Sequence, residues 1–220
     1  MAGNLRKAAQ PSARRRASTA LDVFINCPFD ADYKPIFNAM VYTVVRSGYR
    51  ARCALETDDA AENRLGKIIK IVGECKYGIH DISRTETGGE PPLPRFNMPL
   101  ELGLWLGAHH LGRDDQAGKR CIVFDSEPYR YLRFISDIGG QDIHAHGCDI
   151  PKLIAELAHL IHGMRGLRRR ASRKLLIVFM DWVSTPSIPT ITPSHTRHVR
   201  RYRRPVPVSS HQPQESHRRL

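Results

Sequence analysis

The sequence predicts an α/β fold of the flavodoxin-like kind: a three-layer sandwich with a parallel sheet of four to five strands in the order 2-1-3-4-5. Three observations point there. Short apolar runs alternate with helical periodicities from Leu21 to His162, which is the pattern of a parallel sheet covered by helices on both faces. Four or five such runs fit within about 140 residues, too few for a six-stranded dinucleotide fold. No internal repeat is present to suggest a solenoid or propeller.

The elements follow in order. Leu21-Asp-Val-Phe-Ile-Asn26 is a short apolar run closed by Cys27-Pro28, which suits a buried strand. From Tyr33 to Ser47, apolar residues at Ile36, Phe37, Met40, Val41, Val44 and Val45 have helical spacing, and Gly48 is a C-terminal stop. Tyr49 to Leu55 returns to strand character, with Asp58-Asp59 as a loop. Leu65, Ile68, Ile69 and Val72 form the stripe of a second helix. Tyr77 to Ser83 reads as the third strand, and a loop rich in Gly and Pro runs from Arg84 to Phe96. A helix opened by Asn97-Met-Pro extends to about Leu111 through Leu100, Leu104 and Leu106. Arg120–Asp125 is the fourth strand, Tyr129–Ile138 is expected to be helical, Ile143–His146 is a short fifth strand, and Pro151–His162 is an amphipathic helix.

The formal net charge of +12 is distributed unevenly. Residues 1–20 carry +5, residues 165–220 carry +11, and residues 21–164 carry −4. The chain therefore divides into a basic leader (1–20), a globular domain (21–163) and a basic tail (164–220). Both ends are expected to be largely disordered, being poor in apolar periodicity. Basic ends of this kind give salt-sensitive, sequence-blind affinity at best, so nucleic acid is not the expected partner. The five cysteines are scattered with no CxxC pair, which suits a reducing compartment. No apolar run is long enough to span a bilayer, and the leader lacks the apolar core of a secretory signal. The expectation is a cytoplasmic protein with no membrane partner.

Candidate chemistry gathers where the topology puts it. In a 2-1-3-4-5 sheet the ligand crevice lies beyond the carboxyl ends of strands one and three, where the strand order reverses. The segments leaving those strands are Asn26-Cys-Pro-Phe-Asp30 and His80-Asp-Ile-Ser-Arg84. Asp81 ends the third strand. Glu101 is expected in the first turn of the next helix, where acids also serve to offset the macrodipole or complete a capping box. Two acids at one end of a sheet can do acid/base or nucleophilic work, and each has a purely structural alternative. Ser83 has no GxSxG context for a nucleophile. His144, His146 and Cys148 match no standard zinc spacing, so no metal is expected. Neither GxxxxGK[ST] nor GxGxxG occurs, which disfavours a kinase, a P-loop enzyme and a standard NAD dehydrogenase.

Phe24-Ile-Asn-Cys-Pro-Phe29, His80-Asp-Ile-Ser83 and Met98-Pro-Leu-Glu-Leu-Gly103 together resemble the nucleoside 2-deoxyribosyltransferase-like and TIR-like superfamily, and look closest to bacterial TIR-like proteins. The resemblance covers residues 21–163. It implies cleavage or transfer at an N-glycosidic bond of NAD or a related nucleotide or nucleoside, in the setting of a bacterial antiphage defence effector. It further implies that Glu101 is the nucleophile or oxocarbenium stabiliser and that Asp81 binds or protonates the leaving base. Phe29, in the Pro28-Phe29 loop, would stack near the base, and Asn26 would bind sugar or phosphate. Ser83 belongs to the same substrate-binding set, and Arg84 and Arg95, flanking the Gly/Pro-rich loop, would grip a phosphate. NAD or a nucleotide is then a substrate, no cofactor is required, and a homo-oligomer is implied. The alternative is a non-catalytic nucleotide-binding or self-assembling signalling module built on the same pocket. Two departures stand out: the Trp-Cys context beside the glutamate of many TIR enzymes is missing, and the Arg84–Phe96 loop is long for a small transferase.

Overall fold

The first strand, β1 (Asp22–Asn26), is wholly buried and occupies the second position of a five-stranded parallel sheet in this computed structural model. The other strands of this sheet are β2 (Arg50–Arg52), β3 (Tyr77–Asp81), β4 (Arg120–Asp125) and β5 (Ile143–Ala145), and the expected Arg84–Phe96 loop contains a short antiparallel pair, Thr87–Gly88 with Leu93–Pro94. Their spatial order is β2-β1-β3-β4-β5, so the predicted 2-1-3-4-5 sheet is the observed one. The structure describes residues 20–56, 61–85, 87–88 and 93–164. The leader and tail expected at 1–20 and 164–220 lie outside these residues, apart from Ala20 and Met164.

Side chains of a strand alternate between faces, and the sheet uses this to build two cores. Val23 and Ile25 of β1, Tyr77 and Ile79 of β3, and Ile122 and Phe124 of β4 pack under α1 (Lys34–Arg46) and α4 (Ile150–Met164). On the opposite face, Phe24 of β1 packs with Ile68, Ile71 and Val72 of α2 (Arg64–Glu74) and Trp105 of α3 (Asn97–Leu111). Met98 and Leu102 of α3 continue that face over Ile82 and Val123. Each large side chain fully removed from water here contributes about 1.5–3 kcal/mol, which is why helices lie on both faces and the layers number three.

Local chemistry sets the element ends. Asn63 caps α2 by accepting the Gly66 N–H at 2.6 Å. Gly48 stops α1 with φ +85°, a conformation other residues resist. At the carboxyl end of α2, Lys119 donates its ammonium to the carbonyls of Val72 and Cys75 and lies 4.2 Å from the Trp105 ring centroid. Desolvation there pulls the Lys119 ammonium down to about 8.

Four expectations are corrected. Leu65 and Ile69 are exposed; the buried stripe of α2 is Ile68, Ile71 and Val72, one step around the helix. Likewise Leu100 is exposed, and Met98, Glu101, Leu102 and Trp105 are the buried residues of α3. The second strand is three residues long rather than seven. The segment 129–138 is two short 3₁₀ turns, Arg130–Arg133 and Ser136–Ile138, rather than an α-helix. Arg130 explains the last case. Its buried guanidinium bonds Asp125 (2.8 Å), Thr85 (3.0 Å) and the Ile82 carbonyl (2.8 Å), drawing the chain after β4 down onto the chain after β3.

Candidate functional site

Asp81 ends β3 with its side chain on the face covered by α1 and α4, and it is fully buried. Its Oδ1 accepts the Ser83 N–H at 3.0 Å and the Ser83 hydroxyl at 2.5 Å. Its Oδ2 accepts the Tyr33 hydroxyl and lies 3.1 Å from His146 Nε2. The Cys148 N–H donates to His146 Nδ1 at 2.8 Å, which assigns the imidazole proton to Nε2 and makes it a donor to Asp81. Four donors thus converge on one carboxylate from the N-terminus of α1, the loop after β3 and the loop after β5. Burial and the Asp81 carboxylate together push the Tyr33 phenol far up, so it stays a donor. Ser83 and Asp81 both approach His146 through Nε2. A Ser-His-Asp relay needs opposite ring nitrogens for its two partners, so this cluster is not one.

Asn26 faces the other side of the sheet. In the β1–β3 register it lies beside His80, and its amide nitrogen donates to His80 Nδ1 (3.1 Å) and to the Met98 carbonyl (2.9 Å). The second bond pins the first turn of α3 to the end of β1. His80 is wholly buried against Trp105 and Phe24 in edge-on ring contacts. Burial lowers its imidazole to about 3, so it is neutral.

Glu101 is buried at 5% exposure. The helix begins at Asn97 with Phe96 as its N-cap, so no acid occupies the first turn and Glu101 belongs to the second. The first-turn expectation is thereby corrected, and capping or macrodipole compensation no longer accounts for this residue. Among the described residues Glu101 has no hydrogen bond and no ion pair. Desolvation raises its carboxyl to about 7, and the charge of Arg64 offsets this only in part. The backbone of β3 and the helix α3 thus bring Asp81 and Glu101 to the carboxyl end of the sheet from opposite faces. Burial raises the Cys27 thiol well above its ordinary value, and the charges of Asp81, Cys53, Glu101 and Asp30 raise it further.

The remaining candidates rim this region. Pro28 is buried, while Phe29 is partly exposed and packs edge-on against Phe37 of α1, 5.3 Å between centroids. Arg84 and Arg95 both reach Asp30, at 3.4 and 3.6 Å. Asp30 also accepts the Tyr33 N–H at the start of α1. Among the described residues no group of three His, Cys, Asp or Glu side chains could hold a metal ion; His144 instead pairs with Glu156 of α4 at 2.8 Å. Sequence reasoning missed Tyr33, His80, Asp30 and Arg130. A buried carboxylate needs donors, and that requirement was the available pointer to Tyr33 and His146, although only the fold identifies them.

The chain matches no model of a known protein family and no curated protein sequence. No helix among the described residues is long and apolar enough to cross a membrane.

Proposed function

We propose that this protein cleaves or transfers at an N-glycosidic bond of NAD or a related nucleotide or nucleoside, with Glu101 as the carboxylate beneath the anomeric carbon. The observation that carries this reading is a buried glutamate with no hydrogen-bond partner among the described residues, at the crevice end of a doubly wound sheet. As the C1′–N bond breaks, the base departs with the bonding electrons and positive charge grows on the ribose. A carboxylate in a low-dielectric setting stabilises that charge or captures it covalently, and water or a second base then completes hydrolysis or transfer.

Asp81 refines the choice of substrate. Three residues, Tyr33, Ser83 and His146, direct four hydrogen bonds to it, so its oxygens are occupied and not free to deliver a proton to a departing base. A base that is already cationic, such as nicotinamide in NAD, leaves neutral and needs none. The reading therefore favours NAD over an uncharged nucleoside, and it moves Asp81 from direct catalysis to positioning.

Glu101→Gln is the test. The expected result is loss of turnover with retained ligand binding, and in the parent protein a rate that rises as pH passes through about 7, where Glu101 ionises. Absence of turnover by the parent protein against NAD, nucleotides and nucleosides would instead leave a non-catalytic nucleotide-binding or signalling module. The saturation of Asp81, which removes one of the two acids, is the observation favouring that second reading. A role as a bacterial defence effector rests on the sequence resemblance alone.

A further inference from the structure

Arg84 and Arg95 arrive at Asp30 from opposite ends of the Gly/Pro-rich loop, yet neither is tightly engaged. Their ion pairs with Asp30 are long, at 3.4 and 3.6 Å, and their side chains are 41% and 60% exposed. A guanidinium carries five N–H donors in a planar fork, so most donors of both residues are unused among the described residues. Arg84 is also held over the Tyr33 ring, 5.8 Å to the centroid. The cluster sits just past β1, and Tyr33, whose ring lies beside Arg84, donates its hydroxyl to Asp81. The two arginines therefore stand at the carboxyl end of the sheet, next to the Asp81 cluster, and not on a remote surface.

We propose that Arg84 and Arg95 form a binding site for a phosphate or diphosphate group, in which Asp30 is the internal anion that an incoming phosphate displaces. Two forks around one carboxylate leave a net positive site, and a phosphate offers three oxygens where Asp30 offers two. In the absence of ligand, Asp30 keeps both arginines converged and thereby preorganised. Displacement costs little, because the pairs are long and partly solvated, and Asp30 keeps its bond from the Tyr33 N–H. The substrate class follows: a nucleotide bearing a 5′-phosphate or diphosphate, rather than a nucleoside. That last step rests on the glycosidic reading of Glu101, whereas the anion site itself does not.

The test is a calorimetric titration of the full chain at fixed ionic strength with inorganic pyrophosphate, ADP and adenosine. The basic ends contribute equally to every variant, so the differences between variants carry the result. Arg84→Gln and Arg95→Gln should each weaken pyrophosphate and ADP about tenfold or more and leave adenosine unchanged. Asp30→Asn, which keeps an acceptor for the Tyr33 N–H, should tighten both phosphate ligands. Glu101→Gln should leave pyrophosphate affinity intact. Unchanged phosphate affinity in both arginine variants, or weakened affinity in Asp30→Asn, overturns the proposal. Loss of phosphate affinity in the arginine variants without any cleavage of NAD or nucleotides would keep this site and remove the glycosidase reading. Glu101-dependent turnover with unaltered phosphate affinity would do the reverse.

Discussion

At Glu101 a carboxyl group is buried with no donor among the described residues, and this has a measurable signature. Its value is raised from 4.5 to about 7, so the folded protein binds a proton there that the unfolded chain releases. Stability from this group is fully present below about 4.5 and is lost as pH rises through about 7. Glu101→Gln removes the titration. Denaturant unfolding of variant and parent at pH 5 and pH 8 should show the variant gaining on the order of 2–3 kcal/mol relative to the parent across that interval. A pH-independent difference would mean that Glu101 ionises normally. Asp81 makes the opposite case. Asp81→Ala strands the Tyr33 hydroxyl, Ser83 and His146 without their acceptor, at an expected cost of about 3–5 kcal/mol in unfolding free energy. Both residues are acids at the carboxyl end of the sheet, yet among the described residues one has no hydrogen-bond donor and the other has four.

Between elements, Gly78 of β3 lies directly against Trp105 of α3. A β-carbon there would lie 2.7 Å from His80 Nε2 and 3.0 Å from the Trp105 indole, both rigid buried rings. Gly78→Ala should therefore lower stability by about 1–3 kcal/mol, read from the denaturant midpoint, and it should shift α3 with Trp105. Period and punctuation in the sequence were enough for α1, β3, β4 and the strand order, because apolar spacing and Gly48 have local causes. The buried faces of α2 and α3 were not legible. Leu65, Ile69 and Leu100 are as apolar as their buried neighbours, and only the position of the sheet decides which face turns inward. Glu101 is legible as a residue but not as an environment: the sequence places it in the first turn, since Phe96 as an N-cap leaves no side-chain signature. Tyr33 and His146, separated by more than a hundred residues, meet at Asp81 only through the crossovers of the fold.

At the scale of the whole molecule, charge and fold are separable. Removing residues 165–220 subtracts +11 from a net +12 and leaves +1. Any affinity of the full chain for random-sequence duplex DNA should then fall steeply, while affinity for pyrophosphate at Arg84 and Arg95 should persist; filter binding across a salt series measures the first and calorimetry the second. Retention of duplex affinity after truncation would relocate the polyanion contact to the basic leader or the α/β domain.

Among the described residues the sheet ends on each side in a strand of only three residues, Arg50–Arg52 on one edge and Ile143–Ala145 on the other. An incoming β-strand needs a longer row of open N–H and C=O groups to zip onto, and one of these edges is dressed with arginine. Growth of the sheet from one molecule into the next is thus blunted at both borders. If copies of this protein gather into a filament or ring, these two borders offer little to join them by strand pairing.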